Sequence, residues 1–102
     1  MAAIQVSMRL KDYRTDLLER LKNPDYAAEY LAQVLAEKDR YAFLIALRDV
    51  VEATGGMSAV AKRVGIKRPS LYKVLSKSGN PRFDTLQAVL ESLGLRMTIA
   101  AA

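Results

Sequence analysis

The chain contains no cysteine and no histidine among its 102 residues. Without cysteine it has no disulfide framework, no thiolate nucleophile and no cysteine-rich zinc site. Without histidine it also lacks the side chain that most often serves as a general base and metal ligand. The sequence contains neither a glycine-rich phosphate loop nor a paired-carboxylate constellation. We therefore predict a protein that is not an enzyme and that holds no metal or cofactor.

Long apolar runs are missing as well. No stretch approaches the roughly 20 residues needed to span a bilayer, and residues 1–10 lack the charged head and long apolar middle of a secretory signal. We therefore expect a cytoplasmic protein with no membrane partner. Apolar residues make up 51% of the chain, and 102 residues suffice for one compact domain with a hydrophobic core.

Basic residues are concentrated in one half of the chain. Residues 1–56 carry eight basic and nine acidic groups (net −1), whereas residues 57–102 carry eight basic and two acidic groups (net +6). The 26 positions from 57 to 82 include no carboxylate. Their seven basic side chains are Lys62, Arg63, Lys67, Arg68, Lys73, Lys77 and Arg82. Such a patch of one sign is typical of a surface that binds nucleic acid.

Apolar residues at helical spacing predict a mostly α fold. Asn23 and Pro24 open a helix that runs to about Glu37, and Asp39 caps a helix over about 40–54. The other predicted helices cover about 13–21 with Asp12 as its cap, 57–64, 69–77, and 84–93 with Asp84 as its cap.

At both ends of the chain, apolar and polar residues alternate with a period of two residues. Ile4, Val6, Met8 and Leu10 alternate with polar residues, which predicts a short strand. Residues 95–99 alternate in the same way and predict a terminal strand. This strand could pair with the first one or with a second subunit, and the sequence does not choose between them.

Residues 57–77 have the spacing of a helix-turn-helix. Ala61 is small enough for a close helix crossing, Gly65 tolerates the positive φ of a tight turn, and Ile66, Leu71 and Val74 would face the core. Two ordinary amphipathic helices joined by a glycine turn would share these apolar residues. They would not explain why carboxylates are excluded from the segment.

The second helix of such a motif enters the DNA major groove by its N-terminal end. We therefore predict that Lys67, Arg68 and Ser70 lie nearest the base edges, with Tyr72 and Lys73 one turn deeper. Arg68 is the predicted guanine reader, with a phosphate contact as the alternative. Tyr72 either contacts the DNA or belongs to the core. The residues predicted to hold phosphates in the following loop are Lys77, Ser78, Asn80 and Arg82.

Two short motifs, Ser70-Leu71-Tyr72-Lys73 and Gly79-Asn80-Pro81-Arg82-Phe83, resemble the addiction-module antidote family. These are HigA-type antitoxins with a lambda-repressor-like helix-turn-helix, and the resemblance runs from about residue 23 to 95. It implies a compact five-helix DNA-binding domain over 23–95, an N-terminal extension over 1–22 available for partner binding, and a strand or tail over 96–102. It also implies an antitoxin that represses its own operon and neutralises a small, basic, RelE-like toxin encoded beside it.

Two other functions remain open at this point. One is a stand-alone helix-turn-helix regulator without a toxin, and the other is a protein-interaction module whose basic patch binds an acidic partner. For operator binding to double-stranded DNA we expect a homodimer, because paired half-sites lie about 34 Å apart. Its predicted interface uses the helix residues from Leu86 to Leu95 or the terminal strand.

Overall fold

The computed structural model describes residues 2–102, with side chains from Arg9 onward. Over this range the chain forms six α-helices and no β-strand. The helices are α1 (Ala2–Leu21), α2 (Pro24–Ala36), α3 (Arg40–Ala53), α4 (Met57–Val64), α5 (Arg68–Val74) and α6 (Phe83–Ser92).

Helix α3 joins the two halves of the fold. It packs against α1 and α2, which also contact each other, and it also contacts α4. Leu44 and Leu47 of α3 are buried together with Leu21 of α1 and Leu31 of α2. Helix α4 in turn contacts α5 and α6. The core is therefore continuous from the N-terminal helices to the basic segment.

Local capping chemistry fixes the starts of α2 and α3. The Oδ1 atom of Asn23 accepts hydrogen bonds from the backbone N–H groups of Asp25 (2.9 Å) and Tyr26 (3.4 Å). In the same way, Oδ1 of Asp39 accepts from the N–H of Ala42 at 3.1 Å. Each cap satisfies donors that the first turn of a helix cannot pair internally. Both predicted caps are confirmed.

Gly65 ends α4 with a positive φ of 82°, as predicted. The backbone N–H of Ile66 reaches back to the carbonyl of Ala61 at 3.0 Å, which is the six-residue hydrogen bond of a Schellman motif. Ile66 is half-buried and Ala61 is buried. This turn fixes the direction in which the chain enters α5.

The predicted strand over Ile4–Leu10 is wrong, and so is the cap at Asp12, because α1 is helical from Ala2 to Leu21. The end of α1 is fixed in the core by Leu21, and helix formation is cooperative, so it extends through neighbours that favour helix. The predicted five-helix count is also wrong for the compact fold: residues 23–95 hold the five helices α2 to α6, but within residues 2–102 the fold has a sixth helix, α1. Since α1 packs on α2 and α3, it belongs to the same core as the other helices.

The predicted terminal strand is wrong as well, because residues 95–99 are neither helix nor strand. Residues 4–10 are helical and therefore offer this tail no strand partner in the chain. Asp84 is not the cap of α6 either. Arg82 occupies the cap position without a side-chain cap bond, and Asp84 lies in the first turn, where its Oδ1 accepts from the N–H of Thr85 at 2.9 Å.

Candidate nucleic-acid interface

Helix α5 begins in the middle of the basic segment 57–82. Lys67 occupies the cap position, Arg68 is the first helical residue and Pro69 is the second. Proline is tolerated here because the first N–H groups of a helix have no internal partner. The predicted helix over 69–77 is thus shifted and shortened to Arg68–Val74.

Buried leucines orient α5. Leu71 and Leu75 lie one turn apart and both are 0% exposed. Residues on the other faces of the helix therefore point outward, and Ser70 and Lys73 are exposed. Of the nine predicted DNA-binding residues, Tyr72 alone is half-buried, and the exposed ones are Lys67, Arg68, Ser70, Lys73, Lys77, Ser78, Asn80 and Arg82.

A tight loop follows α5 and carries the predicted phosphate-binding residues. The N–H of Gly79 donates to the carbonyl of Ser76 at 2.8 Å, and the Ser76 hydroxyl donates to the carbonyl of Lys73, also at 2.8 Å. Gly79 is buried, and its Cα lies so close to Val74 that an added Cβ would come within 2.8 Å of the Val74 carbonyl carbon. The loop is therefore folded back onto the end of α5.

Few of the basic residues form ion pairs with carboxylates. Among the side chains from residue 9 onward, the basic residues of segment 57–82 form one ion pair, between Nε of Arg82 and Oδ1 of Asp84 at 3.3 Å. Arg63 donates instead to the carbonyl of Thr54 at 3.5 Å. Among these described side chains, six of the seven basic residues therefore form no ion pair, although Lys77 lines an open pocket together with Glu37, Asp39 and Asp49. An incoming polyanion would have few ion pairs to displace.

Tyr72 connects the basic segment to α3. The Cζ atom of Arg68 lies 5.2 Å from the centroid of the Tyr72 ring, and its Nη2 donates to the Tyr72 hydroxyl at 3.2 Å. The Cζ atom of Arg48, on α3, lies 5.0 Å from the same centroid. Both distances are in the range of a cation–π contact. Sequence reasoning missed Arg48 because it lies outside the basic run.

Arg48 is in turn linked to α1 through carboxylates of α3. Its Nε lies 3.8 Å from Glu52, and Nη2 of Arg14 contacts Glu52 at 2.7 Å and Asp49 at 3.1 Å. Hydrogen bonds to Asp49 and Glu52 raise the pKa of Arg14 above its usual value. Burial, followed by the charge of Asp49, raises the pKa of Tyr30, whose hydroxyl donates to Asp49 at 3.4 Å.

Two further features of the described chain bear on ligands and membranes. In residues 2–102 no helix has the length and apolar character to cross a bilayer. Over the same part of the chain, no three acidic side chains come together in a way that could hold a metal ion.

The sequence comparisons place this molecule among known proteins. The sequence model described as "Probable addiction module antidote protein" matches residues 11–101, which is most of the chain. The chain belongs to this family. A protein of Haemophilus influenzae strain Rd, described as uncharacterized, is 37% identical over 91 residues, covering 89% of this chain and 91% of that protein. No solved structure matches the chain.

Membership in the antidote family indicates an antitoxin role and implies a toxin partner. Antidote proteins of addiction modules are not normally enzymes. The resemblance that the sequence motifs suggested is thereby confirmed at the level of the family. The matched residues include all of α2 to α6 and the second half of α1.

Proposed function

We propose that this protein is a sequence-specific DNA-binding repressor that acts as the antitoxin of a toxin–antitoxin module. It represses its own operon and neutralises a RelE-like toxin. In this proposal α4 and α5 form a lambda-repressor-like helix-turn-helix of the HigA type. One observation carries the proposal: segment 57–82 contains seven basic residues and no carboxylate, and it folds as two short helices and a loop whose basic side chains are exposed.

The proposed contacts follow from the position of each residue. The N-terminal end of α5 enters the major groove, so Lys67, Arg68 and Ser70 meet base edges and Lys73 lies deeper. The loop after α5 holds the phosphate backbone through Lys77, Ser78, Asn80 and Arg82. Backbone contacts fix the register of the protein, and base contacts supply the specificity.

Arg68→Ala is expected to weaken binding to the specific site by about 1–3 kcal/mol and to relax the base preference, because an arginine can make two hydrogen bonds to guanine. Arg82→Ala is expected to weaken all duplexes alike, because a phosphate contact carries no sequence information. The measurement is fluorescence anisotropy across a salt series on the DNA upstream of the gene and on a scrambled duplex.

The same titration of the wild-type protein tests the proposed function itself. We expect steep salt dependence and at least about a thousandfold preference for the upstream DNA. Equal losses on both duplexes for both variants would refute the assigned roles. Weak binding to both duplexes by the wild-type protein would refute the proposal that this chain binds an operator by itself.

The proposed repressor is a homodimer, since two half-sites require two reading helices. Leu90 and Leu93 of the predicted interface are buried in the core, so they are not available to a second subunit.

An open groove of 840 Å³ lies between α2, α6 and the tail, and we propose it as the dimer interface instead. Its exposed apolar residues are Leu35, Phe83, Met97 and Ile99. Phe83 directly follows Arg82, so a second copy seated here would place the basic loops of both copies next to the dimer interface.

Phe83→Asp is expected to weaken the dimer about thirtyfold, equivalent to about 2 kcal/mol, because a central aromatic anchor would be replaced by a charge that must be desolvated. Phe83 is 69% exposed, so the monomer should remain folded. Tyr13→Asp on α1 is the matched control, since Tyr13 is 70% exposed and lies away from the groove. Light scattering at micromolar concentrations measures the change, and a monomeric wild-type protein would contradict the proposal.

The toxin-binding surface is assigned to the N-terminal half. Residues 1–56 are close to neutral, which separates this half from the basic segment, and Leu10 and Tyr13 of α1 are exposed at 64% and 70%. A small, basic protein encoded beside this gene should co-purify with the chain. If there is none, the alternative is a stand-alone regulator with the same DNA-binding surface.

A further inference from the structure

The two guanidinium groups over the Tyr72 ring suggest how the basic surface obtains its sequence preference. Arg68, at the start of α5, lies over the ring and donates a hydrogen bond of 3.2 Å to the hydroxyl of Tyr72. Tyr72 is the fourth residue after Arg68, so the two side chains lie on the same side of the helix. The guanidinium of Arg68 is therefore held at two points, by the face of the ring and by its hydroxyl.

Arg48 supports this arrangement from a different helix. Its guanidinium lies 5.0 Å from the centroid of the Tyr72 ring, and its Nε lies 3.8 Å from a carboxylate oxygen of Glu52. Glu52 is also bound by Arg14 at 2.7 Å, and Arg14 contacts Asp49 at 3.1 Å. These ion pairs connect α1 to α3, and the contact of Arg48 with Tyr72 continues the connection to α5. The ring of Tyr72 is thus braced by the body of the fold.

A flexible arginine that reads a base loses rotamer freedom when it binds. A side chain that already occupies its binding conformation loses less conformational entropy on binding. It therefore discriminates better between correct and incorrect bases. Arg48 is poorly suited to a direct phosphate contact, because it lies between the Tyr72 ring and the carboxylate of Glu52. The position of Arg48 instead allows it to hold the Tyr72 ring in place. Tyr72 in turn can hold the guanidinium of Arg68 in place.

We propose that Arg48 and Tyr72 are positioning residues that determine base specificity by holding Arg68 in its reading conformation, without reading a base themselves. This inference rests on the proposed function. It assigns to α3 a role in recognition, although α3 lies outside the basic segment. It also gives Tyr72 a definite role where the sequence left a choice between the core and the DNA.

The test measures the affinity of the Arg48→Ala variant by fluorescence anisotropy. It uses the upstream duplex and the scrambled duplex, each across a salt series. We expect affinity for the upstream duplex to fall about tenfold, the size of one lost base discrimination, and affinity for the scrambled duplex to change about twofold at most. The salt slope should stay unchanged, whereas loss of a phosphate contact would reduce it by about 0.9. Arg48→Lys, which keeps a cation over the ring, should restore most of the preference.

Two further variants sharpen the result. Tyr72→Phe keeps the ring but removes the hydroxyl that accepts from Arg68, so it should lose part of the preference. Arg40→Ala is the matched control, because Arg40 also lies on α3, with its Cζ 5.3 Å from the ring centroid of Tyr41, and its removal changes the net charge by the same amount. We expect Arg40→Ala to leave the ratio between the two duplexes unchanged.

The outcomes separate this inference from the proposed function. If the wild-type protein prefers the upstream duplex and Arg48→Ala keeps that preference, the inference alone is overturned. If Arg48→Ala weakens both duplexes equally and reduces the salt slope, Arg48 is a phosphate contact and the inference is again overturned. If the wild-type protein shows no preference, the proposed function fails and the inference fails with it. Thermal unfolding of each variant, followed by circular dichroism, shows that the comparison is between folded proteins.

Discussion

Gly79→Ala is expected to lower the free energy of unfolding by about 3 kcal/mol, because the new methyl group would overpack the loop after α5. The added Cβ would collide with the carbonyl oxygen of Val74 and would lie 2.8 Å from the carbonyl carbon. These neighbours are backbone atoms at the end of α5, so no side-chain rotation relieves the contact. Gly79 does not have a positive φ, so the expected cost comes from the collision.

The same change should displace the loop that carries the proposed phosphate contacts. Ser78→Ala is the matched control, since Ser78 is adjacent and exposed, and its replacement should change stability by no more than about 0.5 kcal/mol. Urea unfolding measures both variants. If Gly79→Ala is as stable as Ser78→Ala, the loop does not pack against α5 as closely as the structure indicates.

The helix boundaries that depend on local chemistry could be predicted from the sequence. Asn23 and Asp39 bond to backbone N–H groups two and three residues ahead. Gly65 adopts a positive φ that most residues avoid. Each of these signals acts over a few residues, so it can be seen in the sequence without knowledge of the fold.

The ends of the chain show where local patterns fail. Residues 4–10 and 95–99 both alternate, but a strand requires a partner, and periodicity cannot supply one. Residues 4–10 instead continue α1, whose position is set by Leu21 in the core and by Arg14 at Asp49 and Glu52. These contacts join residues that are far apart in sequence. The fold class was therefore predictable, but the structure of both ends was not.

The candidate site also has a part that could be predicted from the sequence and a part that could not. Its basic residues were visible as a run of one charge, and the structure leaves them exposed. Arg48 was not visible, because its partner Tyr72 lies on another helix. The close approach of Gly79 to Val74 was not predicted either, although the motif Gly79-Asn80-Pro81 contributed to the family resemblance. Contacts between elements depend on tertiary packing, which one sequence does not reveal.

Leu71→Ala is expected to have the other large effect, a loss of about 2–5 kcal/mol in the free energy of unfolding. Leu71 is 0% exposed and is the buried residue of α5. A helix of seven residues is not stable by itself, so α5 depends on packing for its structure. Since the total stability of a domain is about 5–15 kcal/mol, this loss is a large fraction of it.

Lys73→Ala on the same helix provides the contrast. Lys73 is exposed, so its removal should change stability by about 0.5 kcal/mol at most. It should nevertheless weaken DNA binding and reduce the salt slope by about 0.9 if the lost contact is with phosphate. Leu71→Ala should weaken binding only in proportion to the unfolded fraction or to the displacement of α5. If Leu71→Ala is as stable as Lys73→Ala, packing through Leu71 is not what holds α5 in place, and the basis for orienting its exposed residues toward DNA is lost.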